Sequence, residues 1–218
     1  MISTDKAVCP SSVYGASKRL AEMLVLDAAR RAGRAFSVVR FGNVLGSRGS
    51  IIPLFKRQIA SGGPVTITHP DMHRYFMTIP EAVHLVLQAS AMGQGGEVFV
   101  LNMGEQIRIL NLAEDLIRLS GLEPGKDIEI VFTGIRPGEK MRERLWDEGA
   151  IYQPTDHPEV FRLAEDDGTS SAILHQGIEE LRKLTQVGDA NGIINKLDAL
   201  IPGATIFTAP QAELTAIM

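Results

Sequence analysis

Tyr14 and Lys18 stand at positions i and i+4 in Tyr14-Gly15-Ala16-Ser17-Lys18. In a helix the two side chains share one face. A lysine ammonium beside a tyrosine hydroxyl favours the phenolate, and a phenolate can take a proton from an alcohol while hydride leaves the same carbon. The spacing alone is weak, because many helices carry such a pair as a half-buried ring and a solvated amine. The residues upstream add weight. Ser3-Thr4-Asp5-Lys6 places a hydroxyl, a carboxyl and an amine together just after an apolar start. That start, Met1-Ile2, reads as the end of a strand. A strand end followed by a helix start is where α/β folds hold their ligands.

The elements that must position these groups can be read from periodicity and punctuation. The spacing of Leu20, Met23, Leu24 and Ala28 predicts a helix over 13–31. A strand over 36–41 ends at Gly42-Asn43, and 47–50 is a polar loop. A helix over 51–61 has Pro53 in its first turn, where proline is tolerated, and Gly62-Gly63-Pro64 breaks it. A short strand over 65–67 follows. A helix over 80–91 has Pro80 at its first position. Next come a strand over 97–101, an amphipathic helix over 109–120 closed by Gly121, and a strand over 128–132. Arg136 to Lys140 reads as a loop, with a helix over 141–146 after it. Residues 167–171 read as a linker, and helices over 176–184 and 190–200 follow. Residues 202–218 have no clear period and read as a loosely held end. The alternation of strands and helices over 35–135 predicts an α/β fold with a largely parallel sheet.

Composition bounds the function classes. The chain has 218 residues, 44% hydrophobic and 22% charged, as expected of a folded globular protein. A net charge of −4 without long like-charge runs argues against nucleic acid as the main partner. Arg30, Arg31 and Arg34 read as a solvated helix end. The single cysteine, Cys9, excludes an internal disulfide and a cysteine metal site, and suits the reducing cytoplasm. None of the five histidines falls in a ligand-pair spacing, so no metal is expected. No apolar run approaches the ~20 residues of a membrane span, and no signal peptide is visible.

The run Ser-Thr-Asp-Lys-Ala-Val-x-Pro-x-x-x-Tyr-Gly-Ala-Ser-Lys-Arg-Leu-Ala-Glu, from Ser3 to Glu22, resembles the active-site segment of the capsule and flagellin-glycan nucleotide-sugar 4,6-dehydratases. These belong to the extended short-chain dehydrogenase/reductase superfamily. Further segments resemble that family in the same order: Arg40 to Ser50, His69 to Met77, Gly134 to Lys140 and Pro154 to Pro158. The resemblance covers roughly residues 1–165 and extends weakly into the tail. It implies the C-terminal half of a Rossmann-like parallel sheet over 1–64. A small α/β substrate-binding lobe over 65–165 would return one last strand, 97–101, to the sheet. A linker and helical tail would span 166–218.

The resemblance also implies a reaction. The family oxidises a nucleotide sugar at C4 with NAD or NADP, eliminates water across C5 and C6, and returns the hydride to C6. Tyr14 would be the base at C4, Lys18 would hold the nicotinamide ribose and tune Tyr14, and Thr4 would bind the C4 oxygen. Asp5 would protonate the departing C6 hydroxyl and Lys6 would remove the C5 proton. A lysine base must be deprotonated, which burial or a nearby cation promotes. The deoxythymidine-diphosphate-glucose dehydratases have Glu where Lys6 stands, so the lysine points to a UDP-N-acetylglucosamine substrate. Phe41, Gly42 and Val44 would face the cofactor, as would Tyr14 and Lys18. Asn43, Arg48, Arg74, Arg136 and Glu139 would face the UDP-sugar, with Arg136 suited to a diphosphate by its forked donors. Plain structural readings stand beside these: a surface turn for 136–139, an ion pair for Arg74, and a turn cap for Asn43.

The sequence departs from the pattern in one large respect. The superfamily's Gly-x-x-Gly-x-x-Gly loop, which holds the cofactor diphosphate at a helix N-terminus, is not found. Gly93-Gln94-Gly95-Gly96 precedes a strand instead of following one, so it reads as a turn. The chain is therefore expected to be a fragment, inactive alone, whose missing half would cover a sheet edge. By the same resemblance the full-length parent is a homo-oligomer. Long family members have transmembrane helices ahead of the catalytic domain and often have methionine where Tyr14 stands, so a parent at the cytoplasmic membrane face stays open. Two other readings also stay open. A 4-epimerase would need Tyr14 and Lys18 but not Asp5 and Lys6, and a non-catalytic remnant would need none of them.

Overall fold

The computed structural model describes residues 1–47, 49–164 and 169–206. Arg48 and part of the expected linker (165–168) lie outside the described residues, as do residues 207–218 of the expected loose end. A 3-10 turn, Asp5–Ala7, precedes helix α1 (Val13–Ala32). Then follow β1 (Val38–Arg40), β2 (Asn43–Val44), α2 (Ile51–Ala60), β3 (Val65–Ile67), β4 (His73–Arg74), β5 (Phe76–Met77) and α3 (Ile79–Met92). The chain continues through β6 (Val98–Leu101), β7 (Ile107–Arg108), α4 (Ile109–Leu119), β8 (Ile130–Phe132), β9 (Tyr152–Pro154), β10 (Val160–Leu163), α5 (Ser171–Val187) and α6 (Ala190–Leu200).

The largest sheet has the order β1-β6-β10-β9. β1 runs parallel to β6, with Val39 opposite Phe99. Every residue of β6 is buried, as expected of a strand covered on both faces. On the far side of β1, Ile2 forms a parallel bridge to Val39, and the Ser3 amide donates to the Val39 carbonyl. The first residues are thus a strand end, as expected, and they deliver Thr4 to the edge of the sheet. Parallel pairing also joins β2 to β5 and β3 to β8. An antiparallel hairpin, β9–β10, extends the sheet beyond β6. No alternation of apolar and polar residues marks its two short strands in the sequence. Its turn is the Pro154 to Pro158 segment, where Thr155 Oγ1 accepts from the His157 amide and donates to the Val160 carbonyl.

Three apolar clusters hold the elements. One packs α3 and Leu26 of α1 on β1, β6 and β10. The second joins α2, β3 and α4 through Phe55, Ile67, Ile109 and Ile117. The third seats α5 and α6 on α1 through Leu20, Met23, Leu174, Leu181 and Leu197. Ser12 Oγ caps α1 by accepting from the Gly15 amide, and Gly33 closes it at φ +57°. Thr78 and Glu81 form a capping box on α3, in which Pro80 is the second helical residue, one later than expected. Of the expected loose end, residues 202–206 are docked: the Thr205 amide donates to the Pro10 carbonyl and Ile206 is buried. No helix among the described residues is long and apolar enough to cross a membrane.

The helix expected over 141–146 does not form. Its carbonyls are taken by partners distant in sequence. Met141 accepts from the His73 amide and Arg74, Glu143 accepts from Gln106 Nε2 at 2.8 Å, and Leu145 accepts from Arg40. Tertiary bonds outweigh local helix propensity here. α5 is longer than expected because Ser170 Oγ caps it by accepting from the Ile173 amide.

A buried ionic cluster ties these parts together. Arg40 on β1 is fully buried and reaches Glu22 on α1 in a forked pair, Nε to Oε1 at 3.0 Å and Nη2 to Oε2 at 2.7 Å. Arg19 also donates to Glu22, at 3.0 Å, and Ser3 Oγ donates to Glu22 Oε1. Burial alone pushes the Glu22 carboxyl up. The bonds and charge of Arg40, then Ser3 and Arg19, outweigh burial and leave it below the ordinary carboxylate range. A carboxyl depressed on folding stabilises the native state above its unfolded pKa, and that contribution is lost as pH falls through the folded value. Arg40→Leu is expected to cost up to about 3–5 kcal/mol in urea unfolding, because it removes the forked partner of a buried Glu22 and leaves only Arg19 and Ser3 on it, and Glu22→Leu/Arg40→Leu is expected to regain part of that. The single variant is also expected to lose the acid dependence of unfolding that the pair produces below about pH 4.

Candidate active site

The strand end, β1 and the start of α1 meet at a cleft of about 960 Å³. Thr4, Lys6, Tyr14, Lys18, Phe41, Gly42, Asn43, Val44, Arg74, Arg136 and Glu139 all line it. Asp5 does not, and Arg48 is outside the described residues. The fold therefore gathers eleven of the thirteen candidate positions around one space, although they come from segments spread over 4–139.

Thr4 caps the 3-10 turn, its Oγ1 accepting from the Lys6 amide and donating to Asp5 Oδ1 at 3.0 Å. The Asp5 amide donates to the Phe41 carbonyl, which continues the sheet pairing into the turn. The Asp5 side chain is fully buried. Its Oδ1 also accepts from Lys6 Nζ at 3.0 Å, and its Oδ2 has no hydrogen-bond partner among the described residues. Lys6 Nζ donates a second bond to Asn43 Oδ1 at 3.2 Å. The Lys6 side chain keeps 30% of its surface exposed toward the cleft. Asn43 is thus an anchor for the amine and more than a turn cap. Tyr14 is 55% exposed, and among the described residues neither its hydroxyl nor the Lys18 ammonium has a hydrogen-bond or ion-pair partner. Both are available to a bound molecule.

Two glycines let these segments come so close. A Cβ on Gly15 would collide with the Lys6 carbonyl oxygen, so the first turn of α1 can rest on the 3-10 turn only with glycine there. A Cβ on Gly42 would lie 2.6 Å from Tyr75 Cβ and 3.1 Å from Asp5 Oδ2. The opposite wall is the 136–140 loop. Ser11 Oγ donates to the Gly138 carbonyl at 2.7 Å and Lys140 Nζ to the Val8 carbonyl at 2.6 Å. Glu139 Oε1 accepts from Thr68 and from Arg74 Nη2, and its Oε2 accepts from the Arg136 amide. Arg74 also donates to the His73 and Met141 carbonyls, so the ion-pair reading of Arg74 is the one its contacts carry. The Arg136 guanidinium has no partner among the described residues and is turned to the cleft. Ile51, Leu54, Ile67, Phe76, Ile109 and Ile135 give the remaining wall an apolar surface.

Glu143 went unnoticed in the sequence. It is buried, with Oε1 4.0 Å from Lys6 Nζ and Oε2 3.8 Å from Lys140 Nζ. Burial first, then the charge of Asp5, pushes its carboxyl above the ordinary range against the pull of Lys6, Lys140 and Arg74. The Glu-Lys-Met-Arg-Glu spacing held no signal for this, because the chain there reads as a helix. Cys9 is no rival as a reactive group, since burial and the bond to Asp147 push its thiol up, away from the nucleophilic thiolate.

Comparison with known proteins agrees with this geometry. The family described as polysaccharide biosynthesis protein matches residues 1–165. The capsular polysaccharide biosynthesis protein CapD of Staphylococcus aureus is 60% identical over 163 residues, which cover 74% of this chain and 27% of that protein. A UDP-glucose 4-epimerase of Rickettsia canadensis is 38% identical over 169 residues, 76% of this chain and 48% of that protein. The solved structure of Pen from Bacillus thuringiensis superimposes with a TM-score of 0.67 at 37% identity, over 78% of this chain and 52% of that one. The chain thus spans less than two thirds of each relative's length.

Gly42→Ala is expected to cost about 1–3 kcal/mol by overpacking, read as a lower denaturant midpoint.

Proposed function

Since the chain belongs to the polysaccharide biosynthesis protein family of the short-chain dehydrogenase/reductase superfamily, we propose that it carries the acid–base and sugar-binding part of a nicotinamide-dependent nucleotide-sugar 4,6-dehydratase. The observation that supports this most is Lys6. Its amine is held by Asp5 and Asn43 on the wall of the cleft that also presents the unpartnered Tyr14 hydroxyl and Lys18 ammonium. A simple alcohol–ketone exchange needs only the latter two. An amine and a carboxyl beside them are what an elimination requires.

The residues suit a nicotinamide. Phe41 and Val44 give apolar surface to the cleft that Tyr14 and Lys18 line, and Gly42 keeps that wall packed closely on Asp5 and Tyr75. When bound, that cofactor accepts and returns a hydride. Tyr14 takes the proton of the C4 hydroxyl and Lys18 holds the ribose that sets the cofactor's position. The Thr4 hydroxyl bonds the C4 oxygen. Oxidation at C4 makes the C5 proton acidic, and the Lys6 amine takes it. Asp5 gives a proton to the departing C6 hydroxyl, for which its buried carboxyl must turn outward from the bonds to Thr4 and Lys6. Arg136 meets the diphosphate, and the apolar wall beyond it takes the nucleobase, with UDP-N-acetylglucosamine as the proposed substrate.

The burial of Asp5 favours one other reading, a 4-epimerase, which would use Tyr14, Lys18 and Thr4 and leave Asp5 and Lys6 structural. The two readings separate by mass. UDP-N-acetylglucosamine and NAD or NADP are incubated with this chain alone and with the chain joined to a dinucleotide-binding half. Loss of one water from the sugar, in the joined protein only, is the expected result. An isomer of unchanged mass would instead establish the epimerase, and an unchanged substrate in both would sink either enzyme reading. Lys6→Met in the joined protein is expected to lower water loss by about 10²–10⁴-fold while NAD(P)H absorbance still appears on adding substrate.

A further inference from the structure

Asp5 and Lys6 present a conflict over protons. As an acid, Asp5 must begin protonated, yet its Oδ1 lies 3.0 Å from Lys6 Nζ in the manner of an anion holding an ammonium. It cannot both donate its proton to the leaving hydroxyl and serve throughout as the counter-ion of Lys6. Glu143 is placed to relieve this. Its Oε1 is 4.0 Å from the same Nζ on the side away from the main cleft. Lys6 and Glu143 together line a second cavity of about 300 Å³, which gives the lysine side chain room to approach.

We propose that Glu143 is the positioning residue for Lys6: its carboxylate holds the amine at the cleft wall and balances the charge that the amine gains when it takes the sugar's C5 proton. The inference rests on the dehydratase reading above. The C5–H bond breaks, an N–H bond forms on Lys6, and the electron pair remains on the sugar. It then expels the C6 hydroxyl as water with the proton of Asp5. The cluster of Asp5, Lys6 and Glu143 ends with the net charge it began with, because one proton enters at Lys6 and one leaves from Asp5.

The surroundings of Glu143 support a role in chemistry. The residue is 4% exposed, and its Oε2 is buried without a hydrogen-bond partner among the described residues. An orphaned buried carboxyl oxygen is costly, and such groups in a native structure call for an explanation. Two amines therefore flank the Glu143 carboxyl, Lys6 near Oε1 and Lys140 3.8 Å from Oε2, and of the two only Lys6 lines the main cleft. The Glu143 backbone is fixed by Gln106. The raised proton affinity of the carboxyl, caused first by burial, brings it closer to that of an amine than an exposed glutamate would be. The charged groups facing the pair are Asp5 from the 3-10 turn, Arg74 from β4, and Arg136, Glu139 and Lys140 from the loop.

The test is the pH profile of water loss in the joined enzyme with Glu143→Gln. The substitution removes a carboxylate 4.0 Å from Nζ while keeping the shape of the side chain. The acid limb of the profile is expected to move down by about one pH unit or more, as for a charge within 4–6 Å. The pH dependence of NAD(P)H formation, which depends on Tyr14, is expected to stay in place. Glu143→Asp keeps the charge but withdraws it by one methylene. It is expected to fall between the two, and it carries the test if the glutamine variant does not fold. A folded variant that loses rate equally at all pH values, with its acid limb unmoved, would show a merely structural glutamate and overturn the proposal. Unsubstituted enzyme that forms NAD(P)H without losing water would overturn the dehydratase reading itself, and this inference with it.

Discussion

The forked pair between Glu22 and Arg40 is the constraint on which the site's geometry depends. Burying two charges is costly, and a buried pair holds only when its bonds are nearly complete. Here Arg40 brings β1, Glu22 brings α1, Ser3 brings the strand end, and the Leu145 carbonyl brings the stretch that carries Glu143. Each segment contributes one part of the site. α1 carries Tyr14 and Lys18, the strand end carries Thr4 to Lys6, β1 leads into Phe41 to Val44, and the 141–146 stretch supplies Glu143. A displacement of any one of them would break a bond in a medium where no water replaces it. The cluster therefore acts as a reference point for groups that must meet to within a fraction of an ångström.

Close approach is the second condition. Gly15 and Gly42 let backbone touch backbone or carboxyl where any side chain would intervene. The third is the pinning of the 136–140 loop. Loops are ordinarily the mobile part of a site, but this one is held by Ser11, by Val8 and through Glu139 by Thr68 and Arg74. Arg136 is left as its unpaired guanidinium among the described residues, on a support that does not move with it. A charged group held out on a fixed base suits the capture of an anion.

Around Lys6 the electrostatics are finely divided. Two carboxyls, Asp5 and Glu143, and one amide, Asn43, face one amine, and a second lysine stands behind. The two carboxyls thus share one cation between them. Such a cluster is a poor device for stability, since a set of apolar residues would cost less. Its presence beside an open cleft is better explained by proton transfer than by folding.

Local pattern determined much of this protein. The Tyr-x-x-x-Lys spacing and the helical period of Leu20, Met23 and Leu24 are interactions within one helix, so they are legible from the chain alone. The same holds for the strand end that brings Thr4 and Lys6 to the helix start, and for the turn from Arg136 to Lys140. Tertiary structure decided the rest. Glu22 and Arg40 are 18 residues apart on a helix and a strand, and only the packing of α1 against β1 makes them a buried pair. The 141–146 stretch has the composition of a helix but gives its carbonyls to Arg74, Gln106 and Arg40, partners that no local window contains. That choice placed Glu143 behind Lys6 and turned Arg74 into a brace for Glu139. Asp5 lies fully buried against Gly42, 37 positions on in the chain, a contact that no local pattern foretells.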